Sequence, residues 1–274
     1  MKKVLTCLLL ILSVPGYTAF EHFGSGAKSA GMANASLGNT DLWAVFNNQA
    51  GLADLKSMQA GLFYESRFLM PDLGVKGGGF ALPTKSGTFG LSVGSFGYSA
   101  YNENRYGIAY ARKLSPNINV GIQINYLSLN IAENYGQRSL FTGEIGFQAK
   151  LSEKLGIAAH VFNPVRSKVA DYNQENAATI LKLGMNYRFS DKVFFAAEGE
   201  KELDHPINVK TGLEYHITDP LYLRAGINTN PFVSSFGFGL EIKNFMVDIA
   251  ASYHSVLGYT PQMSLVYKIK EIDR

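Results

Sequence analysis

The sequence has little charge, one cysteine and, after its first residues, no long hydrophobic run. Asp, Glu, Lys and Arg make up 17% of the 274 residues, whereas a soluble globular protein has about 25%. Beyond residue 19, no stretch reaches the roughly 18 consecutive apolar residues of a membrane-spanning helix. The low charge argues against an ordinary soluble surface, and the missing apolar run excludes a spanning helix there.

The sequence is instead rich in apolar residues, aromatic residues and glycine. Hydrophobic residues make up 46% of the chain, aromatic residues make up 12%, and 28 glycines are spread along its length. Such a chain is too apolar for a disordered protein and long enough for one large domain. The net charge is +3 without a basic block, so nothing indicates a nucleic-acid partner.

The first residues have the layout of a secretory signal peptide. Two lysines at positions 2 and 3 precede an apolar run at residues 4–14, and small residues follow up to Ala19. We predict a signal peptide at residues 1–19, with cleavage after Gly16 as an alternative, and a short membrane anchor as the less favoured interpretation. Cleavage removes Cys7, so the exported chain has no thiol for a disulfide or for catalysis.

From residue 58 onward, apolar residues alternate with polar or small ones at a period of two, which is typical of strands with two different faces. For example, Ile122 and Ile124 point one way, while Gln123 and Asn125 point the other. Twelve strands remain the alternative to the fourteen that we predict. The fourteen lie near residues 58–67, 73–83, 86–98, 105–114, 117–129, 139–151, 155–163, 179–189, 193–202, 207–217, 221–228, 233–242, 245–254 and 262–270.

Two kinds of connection join these strands. Short turns with Ser, Asp, Asn or Pro alternate with longer connections near residues 99–104, 130–138, 163–178, 203–206, 229–232 and 255–261. This alternation is typical of an up-and-down barrel whose short turns face the periplasm. The predicted fold is all-β: a closed up-and-down transmembrane β-barrel of about fourteen antiparallel strands at residues 58–274, in the outer membrane of a Gram-negative bacterium.

The less apolar face of the strands favours this barrel over its alternative, a soluble β protein. A limited and balanced set of charges suits a narrow lumen, because only a closed barrel satisfies the backbone of strands in lipid. That face carries Lys150, Lys182, Arg188, Lys210, Arg224, Lys268, Glu144, Glu198, Glu200, Glu214, Glu241 and Asp248. From these we predict a lumen charge ladder that holds the wall and shapes the path, formed by Glu144, Lys182, Glu198, Lys210, Glu214, Arg224, Glu241 and Asp248.

Residues 20–57 do not alternate and are rich in small side chains. They contain Gly24-Ser25-Gly26-Ala27-Lys28, Gly31-Met32, an Asp41 followed three residues later by Ala44, and Asn48-Gln49-Ala50-Gly51-Leu52. This order resembles the N-terminal signature of the FadL-like outer-membrane proteins. That family includes the long-chain fatty acid transporters and the PorV and PorQ proteins of type IX secretion. The resemblance implies a fourteen-stranded barrel whose segment at residues 20–57 folds into the lumen as a hatch.

The gate of this hatch is expected at one short turn. Its residues are Asn47, Asn48, Gln49, Ala50, Gly51 and Leu52. Because Gln49 stands where the family usually has Pro, we expect the turn to be kept with less rigidity.

The chain is also shorter than the transporters of the family, which argues against an extracellular docking site for long-chain fatty acids.

Sequence motifs that look catalytic fit structural roles better. Gly90-Leu91-Ser92-Val93-Gly94 matches a nucleophile elbow, but Ser92 lies in an alternating strand and that chemistry needs a strand–turn–helix. Ala27 replaces the Gly that must precede the Lys of a phosphate-binding loop. The five histidines show no metal-ligand spacing, and His254 beside Ser255 lacks an acid or amide partner. We therefore predict no enzyme, no catalytic residue, no metal and no cofactor.

The predicted barrel and hatch lead to two main functional hypotheses. The first is uptake or capture of a small hydrophobic solute through a plugged lumen, with outer-membrane lipid around the barrel. The second, which the PorV and PorQ resemblance implies, is a non-transporting scaffold whose loops dock secreted proteins or a secretion machinery. The longest loop, residues 163–178, carries Arg166, Lys168, Asp171 and Tyr172. We expect it to fold inward or to meet a partner, and a mobile surface loop is the alternative. A hydrolase that acts through Ser92 or His254 is the third.

Overall fold

The structure, a computed structural model, describes residues 26–132, 136–167, 177–203 and 205–271. The predicted signal peptide, residues 20–25 of the predicted hatch, and Lys168, Asp171 and Tyr172 lie outside the described residues. None of the helices in the described part of the chain has the length and hydrophobicity needed to cross a bilayer.

The described residues form fourteen antiparallel strands in one closed barrel, in which neighbours in sequence pair and the first strand pairs with the last. The prediction of fourteen strands is confirmed, and each predicted boundary lies within four residues of the observed one. The strands are β1 (Ser57–Ser66), β2 (Gly74–Thr84), β3 (Gly87–Tyr98), β4 (Tyr101–Ser115), β5 (Ile118–Ile131), β6 (Gly136–Lys150), β7 (Leu155–Phe162), β8 (Ile180–Ser190), β9 (Val193–Glu202), β10 (Asn208–Thr218), β11 (Leu221–Thr229), β12 (Phe232–Ile242), β13 (Phe245–His254) and β14 (Gly258–Glu271).

The two faces of the strands divide as the alternation predicts. On β5, Ile122 and Ile124 are exposed on the outside, while Gln123 and Asn125 are buried inside the barrel. Apolar side chains exposed in the same way surround the barrel: Leu62, Leu91, Ile108, Phe141, Ile145, Leu183, Phe236, Phe238, Ile249 and Met263. Because closure leaves no strand edge unpaired, this apolar outer surface suits the hydrocarbon of a membrane.

The two ends of the barrel differ in their connections. Six short turns lie at the end that also holds the start of β1 and the end of β14, which we call the short-turn end. Three connections at the opposite, long-connection end are shorter than predicted, because β4 begins at Tyr101, β6 at Gly136 and β14 at Gly258. Polar residues extend the pairing of the strands at this end. For example, Asn102 of β4 donates a side-chain hydrogen bond to Ser95 Oγ of β3 at 3.1 Å.

The barrel wall is shorter at β7, which has 8 residues, than at its neighbour β6, which has 15. The backbone after β7 covers the resulting edge of β6. The Asn163 amide donates to Gly143 O at 2.9 Å, and the Ser167 hydroxyl donates to Phe141 O at 2.7 Å. These two hydrogen bonds pair backbone carbonyl groups of β6 that lie beyond the reach of β7, without a further strand.

Residues Gly26–Lys56, which we call the inner segment, form three short helices: α1 (Ala27–Gly31), α2 (Ala44–Asn47) and a 3-10 helix (Gln49–Asp54). Further 3-10 helices, Arg67–Leu69 and Pro71–Leu73, lie between β1 and β2. Most residues of the inner segment are buried. The hydrophobic core lies between them and the inner faces of β1 to β4 and β14, and it comprises Leu42, Trp43, Ala44, Val45, Phe46, Leu52, Ala53, Leu55, Phe63, Val75, Ala81, Ala109, Ala111 and Val266.

Candidate functional site

The inner segment fits closely against the barrel wall because glycines line much of the inner face. An added Cβ at Gly121 of β5 would overlap the backbone of Gln49 and Ala50, and one at Gly146 of β6 would overlap Asn48 Oδ1. Opposite, Gly212 and Gly226 leave room for Met32 in the same way. The packing therefore extends to both sides of the lumen, and the candidate site is the interface between the inner segment and the wall.

The residues predicted to form the gate lie together at this interface. The Asn47 side chain donates to Ser29 Oγ at 3.0 Å. Asn48 Nδ2 donates to Leu37 O at 2.9 Å, and its Oδ1 accepts from the Ala50 amide at 3.3 Å, which caps the 3-10 helix. All six predicted residues are buried.

Gln49 has a contact that a Pro at this position would lack. Its Nε2 donates to Glu144 Oε2 of β6 at 2.8 Å and to Val45 O at 3.3 Å, and both partners are buried. Gln49 therefore places a side-chain anchor between the inner segment and the wall.

Glu144 is the centre of a buried polar cluster. Its carboxylate pairs with the Arg105 guanidinium of β4 and lies 2.9 Å from His160 Nε2 of β7. It also accepts hydrogen bonds from Asn125 Nδ2 at 2.6 Å and from Gln123 Nε2 at 3.2 Å. Sequence reasoning missed Arg105 and did not assign His160 to the lumen, although both occupy inward positions of their strands.

A second cluster joins two lysines and two glutamates of β8, β9 and β10. Glu200 lies 3.0 Å from Lys182 and 2.7 Å from Lys210, and Glu198 lies 3.9 Å from each lysine. Glu198 Oε2 also accepts the backbone amides of Ser36 and Leu37 at 3.2 Å. This cluster thereby holds the turn between α1 and α2 of the inner segment.

A third cluster surrounds Arg224 of β11. Its guanidinium donates to Glu214 at 2.6 Å and to Asp248 at 2.7 Å. Lys28 of the inner segment lies 3.1 Å from Asp41 and 4.0 Å from Glu214. Burial alone would lower the pKa of the Lys28 ammonium, but these two carboxylates outweigh it and raise the pKa above its usual value.

The charges predicted to form one ladder therefore fall into separate groups. Arg224 contacts Glu214 and Asp248, and it makes no ion pair with Glu198 or Glu200 among the described residues. Glu241 stands apart at the short-turn end, where it pairs with Lys268. Three of the groups contact the inner segment, through Gln49, through Ser36 and Leu37, and through Lys28.

A fourth contact fixes the end of the inner segment near the short turns. Asp54 lies 2.5 Å from Lys113 of β4 and 3.0 Å from Lys150 of β6, and it accepts from Asn119 Nδ2 at 3.0 Å. Burial alone would raise the pKa of the Asp54 carboxyl, but the hydrogen bonds from Lys113, Lys150 and Asn119 outweigh it and lower the pKa. Beside Asp54 a cavity of about 1130 Å³ opens at the short-turn end.

At the long-connection end the lumen has an apolar cluster on its inner face. It comprises Leu127, Leu129, Leu140, Phe162, Ala177, Ala178 and Ile180. Asn163 Nδ2 donates to Ala177 O at 2.9 Å and to Ala178 O at 3.3 Å, which holds the backbone of these alanines over the cluster. This cluster interrupts the polar inward pattern of β5 and β6.

The motifs that look catalytic have structural surroundings. Ser92 is buried within β3. His254 Nδ1 accepts the amides of Val256 and Leu257 at 3.1 Å, so this side chain caps the turn between β13 and β14. In the part of the chain that the structure describes, no group of His, Cys, Asp and Glu could hold a metal ion.

The fold and the lumen define an outer-membrane β-barrel with a folded segment inside it. Solved structures with a similar fold include the CymD monoaromatic hydrocarbon channel, with a TM-score of 0.74 and 14% identity over 92% of this chain and 100% of that one. A FadL homologue of Pseudomonas aeruginosa has a TM-score of 0.66 and 12% identity over 90% of this chain and 98% of that one. The toluene transporter TodX of P. putida has a TM-score of 0.66 and 12% identity over 92% of this chain and 100% of that one.

These similarities concern the fold. No protein-family model matches the sequence, and a search of curated proteins finds no match. The similarity to a FadL homologue agrees with the resemblance seen in the N-terminal signature.

Proposed function

We propose that the protein takes up a small hydrophobic solute across the outer membrane, through a lumen that the inner segment closes. The observation that carries this proposal is the apolar cluster on the inner face at the long-connection end, where Leu127, Leu129 and Phe162 interrupt a polar lumen. These side chains are buried in the structure, so an apolar solute gains from them where it replaces their present neighbours. Burial of apolar area is favourable by about 25 cal/mol per Å².

The inner segment is suited to close the lumen reversibly. Individual polar contacts join it to the wall, such as Gln49 to Glu144 and Lys28 to Glu214. The hydrogen bond from Gln49 to a carboxylate contributes about 1.5–3 kcal/mol, and the ion pair of Lys28 contributes less. A bound solute that disturbs several such contacts therefore shifts the segment. The similar folds of CymD, a monoaromatic hydrocarbon channel, and TodX, a toluene transporter, support the same substrate class.

The test measures the uptake of N-phenylnaphthylamine, a small hydrophobic dye, into intact Gram-negative cells that express the protein. The double variant Leu127→Asn/Leu129→Asn should lower the uptake rate about tenfold, because a buried Leu side chain contributes about 1.5–3 kcal/mol. Val256→Asn is the matched control, since Val256 is apolar and exposed at the same end but lies outside the cluster.

Deletion of residues 20–57 should raise the uptake rate if the segment closes the lumen. Uptake that is the same in all variants as in cells without the protein would contradict the proposal. If secreted proteins or secretion machinery also copurified with the barrel, that result would favour the scaffold hypothesis.

A further inference from the structure

The cavity at the short-turn end has an unusual charge. Among its lining residues are seven cationic side chains, Lys28, Lys56, Lys113, Lys150, Lys154, Arg188 and Lys192, and four carboxylates, Asp54, Glu153, Asp191 and Glu214. The whole sequence has a net charge of only +3. The cavity therefore concentrates positive charge at the short-turn end, which we predict to face the periplasm.

Some of these cations have partners within the protein. Lys113 and Lys150 pair with Asp54, and Lys28 pairs with Asp41. The remaining cations, Lys56, Lys154, Arg188 and Lys192, form no ion pair among the described residues. Two carboxylates of the lining, Glu153 and Asp191, lie beside Lys154 and Lys192 in the sequence and also form no ion pair among the described residues, so the four cations leave a surplus of positive charge for a ligand.

Three of the unpaired cations, Lys154, Arg188 and Lys192, lie at the short-turn ends of the neighbouring strands β7, β8 and β9. The Arg188 amide donates to Lys154 O at 2.8 Å, and Lys192 O accepts from the His216 amide at 2.8 Å. The pairing of β7 with β8 and of β8 with β9 fixes the strands that carry these turns. The side chains of Lys154, Arg188 and Lys192 are exposed to solvent, so their attraction for an anion acts at short range and is screened by salt.

The size and polarity of the cavity indicate what it binds. A volume of about 1130 Å³ exceeds the roughly 300–1,000 Å³ of a site for one small molecule, and a single inorganic anion would occupy little of it. Charged side chains disfavour an apolar solute. An extended peptide advances about 3.3–3.6 Å per residue, so a short acidic segment reaches several of the cations together.

We propose that this cavity is a docking site for an acidic peptide segment of a periplasmic protein. Lys154, Arg188 and Lys192 bind its carboxylates, while Lys113 and Lys150 remain engaged with Asp54 and hold the inner segment. Docking of this kind does not depend on the transport of a solute, so its test is independent of the proposed function.

The test measures the fluorescence anisotropy of labelled hexaglutamate with the full-length protein in detergent. Hexaglutamine, citrate and inorganic phosphate serve as competing probes. We expect hexaglutamate to bind at low salt, to weaken by about tenfold or more at high salt because the charges are screened, and to be displaced poorly by the other three probes.

The decisive comparison uses two triple variants that remove the same charge from the same rim. Lys154→Gln/Arg188→Gln/Lys192→Gln changes the cavity lining, whereas Lys85→Gln/Arg112→Gln/Lys243→Gln changes exposed residues that do not line the cavity. The first should weaken hexaglutamate binding by about tenfold, and the second should change it by less than about twofold. A heat-dependent shift in gel mobility confirms that each barrel is folded.

Three results would overturn the proposal. If hexaglutamate does not bind, the cavity is not a docking site. If both triple variants weaken binding equally, the attraction comes from the whole rim. If citrate or phosphate competes as well as unlabelled hexaglutamate, the cavity takes free anions and not a peptide.

Discussion

Trp43 of the inner segment packs edge to face against Phe63 of β1, with ring centroids 5.6 Å apart and an interplanar angle of 90°. Both side chains are buried. Trp43 is the single tryptophan of the chain. Its fluorescence therefore reports whether the inner segment is docked against the wall.

Phe63→Ala should loosen the inner segment without opening the barrel. Loss of a buried Phe typically costs about 3–5 kcal/mol, and here it removes the ring against which Trp43 rests. We expect Trp43 emission to move to longer wavelengths and acrylamide to quench it more strongly. Phe89→Ala is the control, because Phe89 is exposed on the outer face. Equal quenching in both variants would show that Trp43 does not report on this contact.

Gly146→Ala should push the inner segment away from β6. An added Cβ at Gly146 would overlap Asn48 Oδ1, which caps the 3-10 helix, so that cap must move. We expect stronger quenching of Trp43 and faster dye uptake. Gly143→Ala lies on the same strand, where the nearest atom to an added Cβ is 3.9 Å away, and it should behave like the wild type. A wild-type uptake rate in Gly146→Ala would contradict the link between the turn and closure.

Gln49→Ala and Glu144→Gln should have different effects, because they lie on different sides of the interface. The first removes a hydrogen bond to a carboxylate, worth about 1.5–3 kcal/mol, and should weaken only the docking of the inner segment. The second leaves the buried Arg105 without its carboxylate, which costs about 3–5 kcal/mol, and should also lower the unfolding midpoint of the barrel. Heat-dependent gel mobility measures the barrel, and Trp43 quenching measures docking. Equal midpoints for the two variants would contradict this division.

Docking of the inner segment should depend on pH through Asp54. The docked state lowers the pKa of this carboxyl below its usual 3.8, so Asp54 stabilises docking above that pH. The stabilisation is lost as the pH falls through the lowered pKa. We expect Trp43 quenching to increase in wild type as the pH falls below about 4. In Asp54→Asn, docking should already be weaker at pH 7, and the pH dependence should be smaller. If the wild type and Asp54→Asn had parallel pH profiles, the acid transition would come from other carboxylates.

Much of the fold was predictable because its cause is local. In β5 and β8, each side chain faces either the outside or the lumen. The alternation of Ile122 with Gln123, and of Leu183 with Lys182, shows in the sequence which face each residue occupies. The starts of β4 and β14 were harder to predict. Residues beyond the membrane pair across strands there, but they lack the outward apolar residues by which the sequence pattern reveals a strand. The short-turn ends were predicted well, since their turn residues are distinctive.

The charged groups of the candidate site were predicted in position but not in pairing. Glu214 and Arg224 occupy inward positions in the sequence pattern, and their cross-strand register places them opposite each other. The same pattern could not show that Arg224 also meets Asp248, or that Glu198 binds the backbone of the inner segment. Arg105 was missed because a single cation beside Gly107 and Ala109 gives no separate signal. That residues 20–57 act as a hatch stays a prediction.

The sequence by itself determined the strands, their two faces and the closed barrel that follows from them, because alternation and turn chemistry act between neighbouring residues. Only the tertiary structure decided how the inner segment meets the wall. Gln49 and Glu144 are 95 residues apart, and Lys154, Arg188 and Lys192 line one cavity from two turns and the end of β8. Barrel closure brings such residues together, and no local pattern encodes which of them will meet.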